Sequence, residues 1–358
     1  MKLFFFFGLV IINTSFALSE LDKYRLLFFH NKYRCETKSY AKNMPALRWD
    51  DRLEKVSYCP GLSHNSNRTE QFKLLGGSGY VGENLYWISL VGVPSLNRFV
   101  YAIKAFTAEV VNFDRITSCT KETICGCAPD RVCGHYTQVI WASTMFVGCG
   151  ANRVDCPNRM PKGGLIACNY SPGRNNRDEY AFEDSPVFIE TDACKAIRYL
   201  PLNVISNIIV SSSPEDVFNL TDGDYNNRWY PALNDTKSLI NLTFADPVDI
   251  QTFYAYSKKE QHTPNRINVI YRINNIFRPD DKFETKTKSI IQNPILTEKG
   301  YRTSFPINLR NIRMISIIFL KRTDIMKISE IELQGGFYDN GLRGGLMLSA
   351  NENDEYLI

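Results

Sequence analysis

Apolar residues recur at helical spacing in three stretches of the first half of the chain. Leu21, Tyr24, Leu27 and Phe28 follow Ser19-Glu20-Leu21-Asp22, a start of the capping-box kind, and predict a helix whose end carries His30, Asn31 and Arg34. Trp49, Leu53 and Val56 predict a second helix after Pro45, stopped by Cys59-Pro60-Gly61, with His64 in the polar loop beyond. Phe99, Ile103, Phe106, Val110 and Phe113 form the clearest stripe, and Glu109 sits on its flank, where a carboxylate is half desolvated. Two short apolar runs, Met145 to Cys149 and Leu165 to Tyr170, read as strands joined by a turn containing Pro157, Pro161, Gly163 and Gly164.

Beyond residue 200 the period shortens to two. Ile240-Asn241-Leu242-Thr243-Phe244 alternates as a half-buried strand does, with the sequon Asn241 on the polar side. Similar runs at Val204 to Val210, Ile250 to Tyr256, Ile267 to Ile273, Tyr301 to Leu309, Met314 to Leu320 and Ile328 to Leu333 predict an antiparallel β-sandwich over 201–335. The stretch 185–200 reads as a linker, although Cys194 could pin it to the first half, and 336–358 has no periodicity and reads as a mobile tail.

Charge excludes one class of function. Lys and Arg number 42 against 38 Asp and Glu, a net +4 that is too weak a field for a nucleic-acid partner. Residues 1–17 pair Lys2 and the apolar run Leu3 to Ile12 with small residues at Ser15 and Ala17, the pattern of a secretory signal cleaved after Ala17. No other run is long enough to predict a transmembrane segment; Ile307 to Leu320 is interrupted by Arg310 and Arg313. All ten cysteines lie at or before Cys194, which fits disulfides in an exported, extracellular protein and divides the chain chemically. Asn67, Asn219, Asn234 and Asn241 are candidate glycan sites, whereas Asn169 lies in an apolar segment that shields it.

Gly134-His135-Tyr136-Thr137-Gln138-Val139-Ile140-Trp141-Ala142-Ser143-Thr144 and Leu165-Ile166-Ala167-Cys168-Asn169-Tyr170 resemble the two signatures of the CAP superfamily of cysteine-rich secretory, antigen 5 and pathogenesis-related proteins. His30-Asn31-Lys32-Tyr33-Arg34 and Gly82-Glu83-Asn84-Leu85 resemble its shorter motifs, in the same order. The resemblance implies an α+β fold, a three-layer α-β-α sandwich over 18–184. It also implies a cleft built from His64, Glu83, Glu109 and His135, and a Cys149 to Cys168 bridge across the predicted hairpin. Imidazole and carboxylate suit zinc, and the same four groups could instead tie the layers together by hydrogen bonds. Arg174, inserted in Ser171-Pro172-Gly173-Arg174-Asn175, departs from the family's turn.

Asp222-Gly223 leading to Trp229, and Ile328 to Gly335, resemble the opening turn and closing strand of discoidin-like, galactose-binding jelly rolls. That resemblance nominates Asp222 and Glu330 for a calcium ion; the alternative is a turn-forming Asp-Gly beside a surface Glu. The apolar segment Leu85 to Leu96, with Leu85, Trp87 and Val91, is the candidate lipid wall. Phe99, Tyr101 and Phe106 also fit an aromatic sterol-binding pattern, but helical core packing accounts for them better. The expected function is that of a secreted, non-enzymatic protein binding a sterol or fatty acid, or an extracellular protein or glycan, with no catalytic residue assigned. A metal-dependent or serine hydrolase using Ser57, Ser63 or Ser66 near His64 is one alternative, and a structural surface or matrix protein is another.

Overall fold

The computed structural model describes residues 18–338, except 38–39, 59–64, 90–97, 115–124, 152–162, 177–178, 233–234, 236–237, 274–284 and 321–325. The expected signal sequence, Ser63, His64, Val91, the sequon Asn234 and the tail from 339 therefore lie outside the described residues. Helix α1 (Glu20–Cys35) opens on the capping box: Ser19 Oγ accepts from the Asp22 N–H at 3.1 Å, and the Asp22 carboxylate accepts from the Ser19 N–H. There follow β1 (Arg48–Trp49), α2 (Asp51–Ser57), α3 (Asn65–Leu74), β2 (Gly82–Ser89), α4 (Arg98–Ala108) with a 3-10 turn (Glu109–Asn112), α5 (Gly134–Val139), β3 (Phe146–Ala151) and β4 (Gly163–Ser171). The strands form one sheet in the order β1-β3-β4-β2.

Small residues let helices close on this sheet. A Cβ on Gly148 would fall 2.2 Å from the Glu54 nitrogen, so α2 lies directly against β3. On the opposite face His30 of α1 packs on Tyr170, and Phe106 of α4 on Tyr86. The result is the three-layer α-β-α arrangement, with a core running from Phe29 through Ile103 and Val147 to Tyr170.

Two local expectations are corrected. The stripe from Trp49 to Val56 is not one helix, because Trp49 pairs in parallel with Val147 and Asp50, in extended backbone, caps α2 by accepting from the Arg52 N–H at 2.8 Å. Helix α3, which lacks an apolar stripe, occupies what read as polar loop; Phe72 is its buried anchor.

In the second half, α6 (Asp192–Ala196) precedes β5 (Ile205–Val210), β6 (Leu239–Ser257), β7 (Arg266–Ile273), β8 (Thr285–Ile291), β9 (Ile295–Thr297), β10 (Gly300–Phe319) and β11 (Glu330–Phe337). They pair antiparallel as β11-β6-β10-β7-β8, with β5 added to β6 and β9 to β10. The runs 240–244 and 250–256, which read as separate strands, are both in β6, and 301–309 and 314–320 are joined in β10. Register shifts between Pro306 and Met314, with Asn308 and Asn311 at φ of 49° and 57°, carry β10 round a bend without ending it. The bent pair encloses Trp229, Phe244, Phe253, Phe305 and Phe319, all buried. Strand β8 escapes a hydrophobicity reading because it runs Thr-Lys-Thr-Lys-Ser before Ile290.

The stretch expected to tether the halves is built into both. Cys194 is bonded to Cys35 at the end of α1, and Arg198 to Leu200 adds to the free edge of β11, with the Leu200 N–H donating to Leu333 O at 2.9 Å and the Gly335 N–H to Arg198 O. Strand β11 also runs to Phe337, two residues into the expected tail, because Phe337 is buried against Phe28 (centroids 5.5 Å). Arg25 of α1 meets Asp246 of β6 at 3.3 Å beside this contact.

Candidate functional site

Glu109 and His135 are brought together from the 3-10 turn and α5. Glu109 Oε1 lies 2.6 Å from His135 Nδ1, while Oε2 accepts from the backbone N–H groups of His135 (2.9 Å) and Tyr136 (3.2 Å). One carboxylate thus caps the start of α5 and binds the first imidazole on it. The ring is further fixed by stacking on Phe106, at 5.5 Å and 15°. A carboxylate on Nδ1 favours the tautomer with its proton there, leaving Nε2 as the lone-pair nitrogen.

Glu83 lies elsewhere in the same region. It pairs with Arg68 of α3 at 2.5 Å, and both side chains are buried. Burial pushes the Glu83 carboxyl up to about 7, and Arg68 pulls it the other way. Among the described residues no contact joins Glu83 to Glu109 or His135. Its neighbour Asn84 reaches the opposite face and donates to His135 O at 2.9 Å. The pleat places Leu85 and Trp87 in one row with Glu83; Leu85 is half-buried and Trp87 is 48% exposed at the sheet edge.

His30, Asn31 and Arg34 are buried ties. His30 joins Leu26 O (2.8 Å) to the Tyr170 hydroxyl (3.0 Å), and burial, with the Arg34 charge adding, lowers it to about 4. Asn31 exchanges two hydrogen bonds with the backbone of Leu47. The Arg34 guanidinium donates to the carbonyls of Pro45, Val139, Trp141 and Thr144. Cys149 and Cys168 face each other across β3 and β4 and are bonded; Cys127 bonds Cys133. The Cys149 and Cys168 sulfurs lie within 4.8 Å of a His30 nitrogen, yet a disulfide has no thiolate to give, so this trio is no zinc site. Ser57 is also buried, donating to Leu53 O and Gly148 O and accepting from Asn169, whose full burial shields that sequon.

In the sandwich, Asp222 and Glu330 come together across the Asp-Gly turn. The Gly223 N–H, at φ 74°, donates to Glu330 Oε2 at 3.0 Å, and Asp222 holds Asp224 N and Asn227 Nδ2. Burial, with the charges of Asp222 and Glu332 adding, pushes the Glu330 carboxyl up to about 8. Glu330 is thus a buried acid, not the surface residue of the alternative reading. Trp229 is core. Sequence reasoning missed Arg68, because a lone Arg on a polar helix carries no signal, and it weighed Phe106 as core or sterol-binding aromatic but did not connect it with His135.

The first half matches the model of the cysteine-rich secretory protein (CAP) family over residues 27–170. It is 32% identical over 178 residues to GLIPR1-like protein 1 of Bos taurus, covering 47% of this chain and 67% of that protein. The chain belongs to the CAP family. It spans 31% of another relative, Peptidase inhibitor 16 of Mus musculus, at 28% identity. Among solved structures, venom allergen-like protein 4 of Schistosoma mansoni is similar over 47% of this chain and 97% of its own, at 24% identity and a TM-score of 0.35. An F5/8 type C domain of a Bacteroides fragilis protein is similar over 37% of this chain and 92% of its own, at 14% identity and a TM-score of 0.30. Among the described residues no helix is long and apolar enough to cross a membrane.

Proposed function

We propose that this CAP protein acts outside the cell as a non-catalytic binding protein, taking a sterol or fatty acid along the β2 edge of its first domain and using its β-sandwich as an adhesion or ligand-binding module. The row Glu83, Leu85, Trp87 carries the reading: along one face of β2 the buried Glu83–Arg68 pair gives way to a half-buried Leu85 and then to a Trp 48% exposed at the sheet edge. Covered apolar surface is worth roughly 25 cal/mol per Å², so a ligand laid along that edge gains affinity without a metal. Of the serines nominated for a hydrolase, Ser57 supports the non-catalytic part, its hydroxyl being buried and committed to two carbonyls; Ser63 and the Ser66 side chain lie outside the described residues. The Glu109–His135 pair suits a divalent cation such as zinc, held through His135 Nε2 together with His64, with Glu109 orienting the ring because both its oxygens are engaged. Asp222 and Glu330 are the proposed calcium donors of the second domain. That domain also presents Lys299 bonded to Tyr225 and Glu332, groups suited to an extracellular protein or glycan.

Labelled sterol and fatty-acid binding tests the reading. Trp87→Glu is expected to weaken it at least about tenfold while sparing zinc uptake, and His135→Ala to do the reverse. Peptidase or esterase turnover that vanishes in His135→Ala and survives Trp87→Glu would establish a hydrolase instead.

A further inference from the structure

Four donors converge on the carboxylate of Glu54 in α2, whose side chain is 4% exposed. Oε2 accepts from Trp49 Nε1 at 3.0 Å and lies 3.3 Å from Lys23 Nζ. Oε1 accepts from the Tyr58 hydroxyl at 2.5 Å and from the backbone N–H of Leu18 at 3.2 Å. The charges there do not balance. Among the described residues Lys23 is the one ammonium shared by Glu54, Asp51 (2.8 Å) and Glu20 (3.1 Å), and those contacts hold its pKa above the ordinary lysine value. One more positive charge at Glu54 is therefore favoured, and the atom already placed there is the nitrogen of Leu18. That nitrogen is where the signal pattern ending at Ala17 predicts the mature chain to begin. Ser19 caps α1 at the next residue and the Leu18 side chain packs on the core, so the nitrogen is held in place from both sides.

We infer that the mature amino terminus is itself an ion-pair partner of Glu54, so that secretion completes the fold of the first domain. The inference rests on the secretory reading. Hydrolysis by a signal peptidase adds one water across the Ala17–Leu18 peptide bond, leaving a carboxylate on Ala17 and an α-amine on Leu18 that takes up a proton. An uncharged amide with one N–H to donate becomes an ammonium with three donors beside a buried carboxylate, so that an ion pair is added to the hydrogen bond. Glu54 raises the pKa of that amine above its ordinary value of about 8, so the added stability is present below about pH 8 and is lost as pH rises through the raised value.

The test uses the full chain secreted from a eukaryotic host, with and without a Gly-Ser dipeptide inserted after Ala17, each with Glu54 or Glu54→Gln. Amino-terminal sequencing is expected to find Leu18 in the uninserted chain. NMR of the isotopically dimethylated α-amine is expected to show a pKa at least about one unit above the ordinary range. The inserted form is expected to melt about 2–4 °C lower near neutral pH, with the gap closing by about pH 10 and absent in Glu54→Gln. A different amino terminus would overturn the proposal at the cleavage step, together with the predicted processing site. An ordinary amine pKa and no melting gap in a chain that does begin at Leu18 would overturn it at Glu54 and leave secretion standing. If Glu54→Gln does not fold, the amine pKa of the mature chain alone decides.

Discussion

Replacing Glu109 by Gln changes one atom of the cleft and separates what the carboxylate does for the fold from what it does for His135. In the native protein both oxygens accept, Oε1 from His135 Nδ1 at 2.6 Å and Oε2 from two backbone N–H groups at 2.9 and 3.2 Å. Glutamine keeps a single oxygen. If that oxygen stays on the backbone donors, its NH2 group points at Nδ1, which must then accept, and the ring proton moves to Nε2. Each bond falls from the charged class to the neutral one, about 1 kcal/mol apiece, so the loss of stability is about 2–3 kcal/mol, or about 5–10 °C in melting temperature. The functional cost is larger in kind. An Nε2 that carries the proton cannot ligate, so zinc affinity is expected to fall about 10–100-fold, the range for loss of a group that orients a metal-binding histidine. Imidazole 15N shifts read the tautomer without metal, and calorimetry reads the zinc. An unchanged tautomer and unchanged zinc binding in a folded Glu109→Gln protein would refute the orienting role.

Three further outcomes follow from buried groups. Arg34→Met strands four carbonyls that the guanidinium satisfies and is expected to cost about 4 kcal/mol, seen as a melting temperature about 10 °C lower, whereas a shift under about 3 °C would mean that water replaces the side chain. Glu330, with its carboxyl raised to about 8 from an ordinary 4.5, makes the sandwich most stable below about pH 4.5 and progressively less so up to about pH 8. Glu330→Gln should flatten that slope in chelator, and calcium should stabilise the native protein near pH 8 but not the variant; denaturant unfolding against pH measures both. Gly336→Ala places a Cβ 2.2 Å from the Phe28 ring and is expected to part the halves, read as faster proteolysis at Arg198 to Leu200 with both cores intact.

Much of this protein was legible in one dimension because its strongest signals are local. Ser19 and Asp22 close a capping box within a single turn, the Phe99 to Phe106 stripe needs only the helical period, and the alternation of Ile240, Leu242 and Phe244 needs only the pleat. Periodicity could not place Trp49, because a residue preceding a capped helix carries the same apolar character as one inside it, and parallel pairing with Val147 decided the matter. It could not join the two runs of β10, where the bend depends on Asn308 and Asn311 taking positive φ under the constraint of long-range pairing. The motifs named Glu83, Glu109 and His135 together, but hydrogen-bond competition in the folded chain divided them: Glu109 went to His135 and two backbone amides, and Glu83 to Arg68 on a helix with no hydrophobic signature. Cysteine spacing marked where the first half ends. Only the tertiary structure built the segment after it into a strand edge, because the open backbone groups of β11 are satisfied there by Arg198 and Leu200, a complementarity that exists only once both halves have folded.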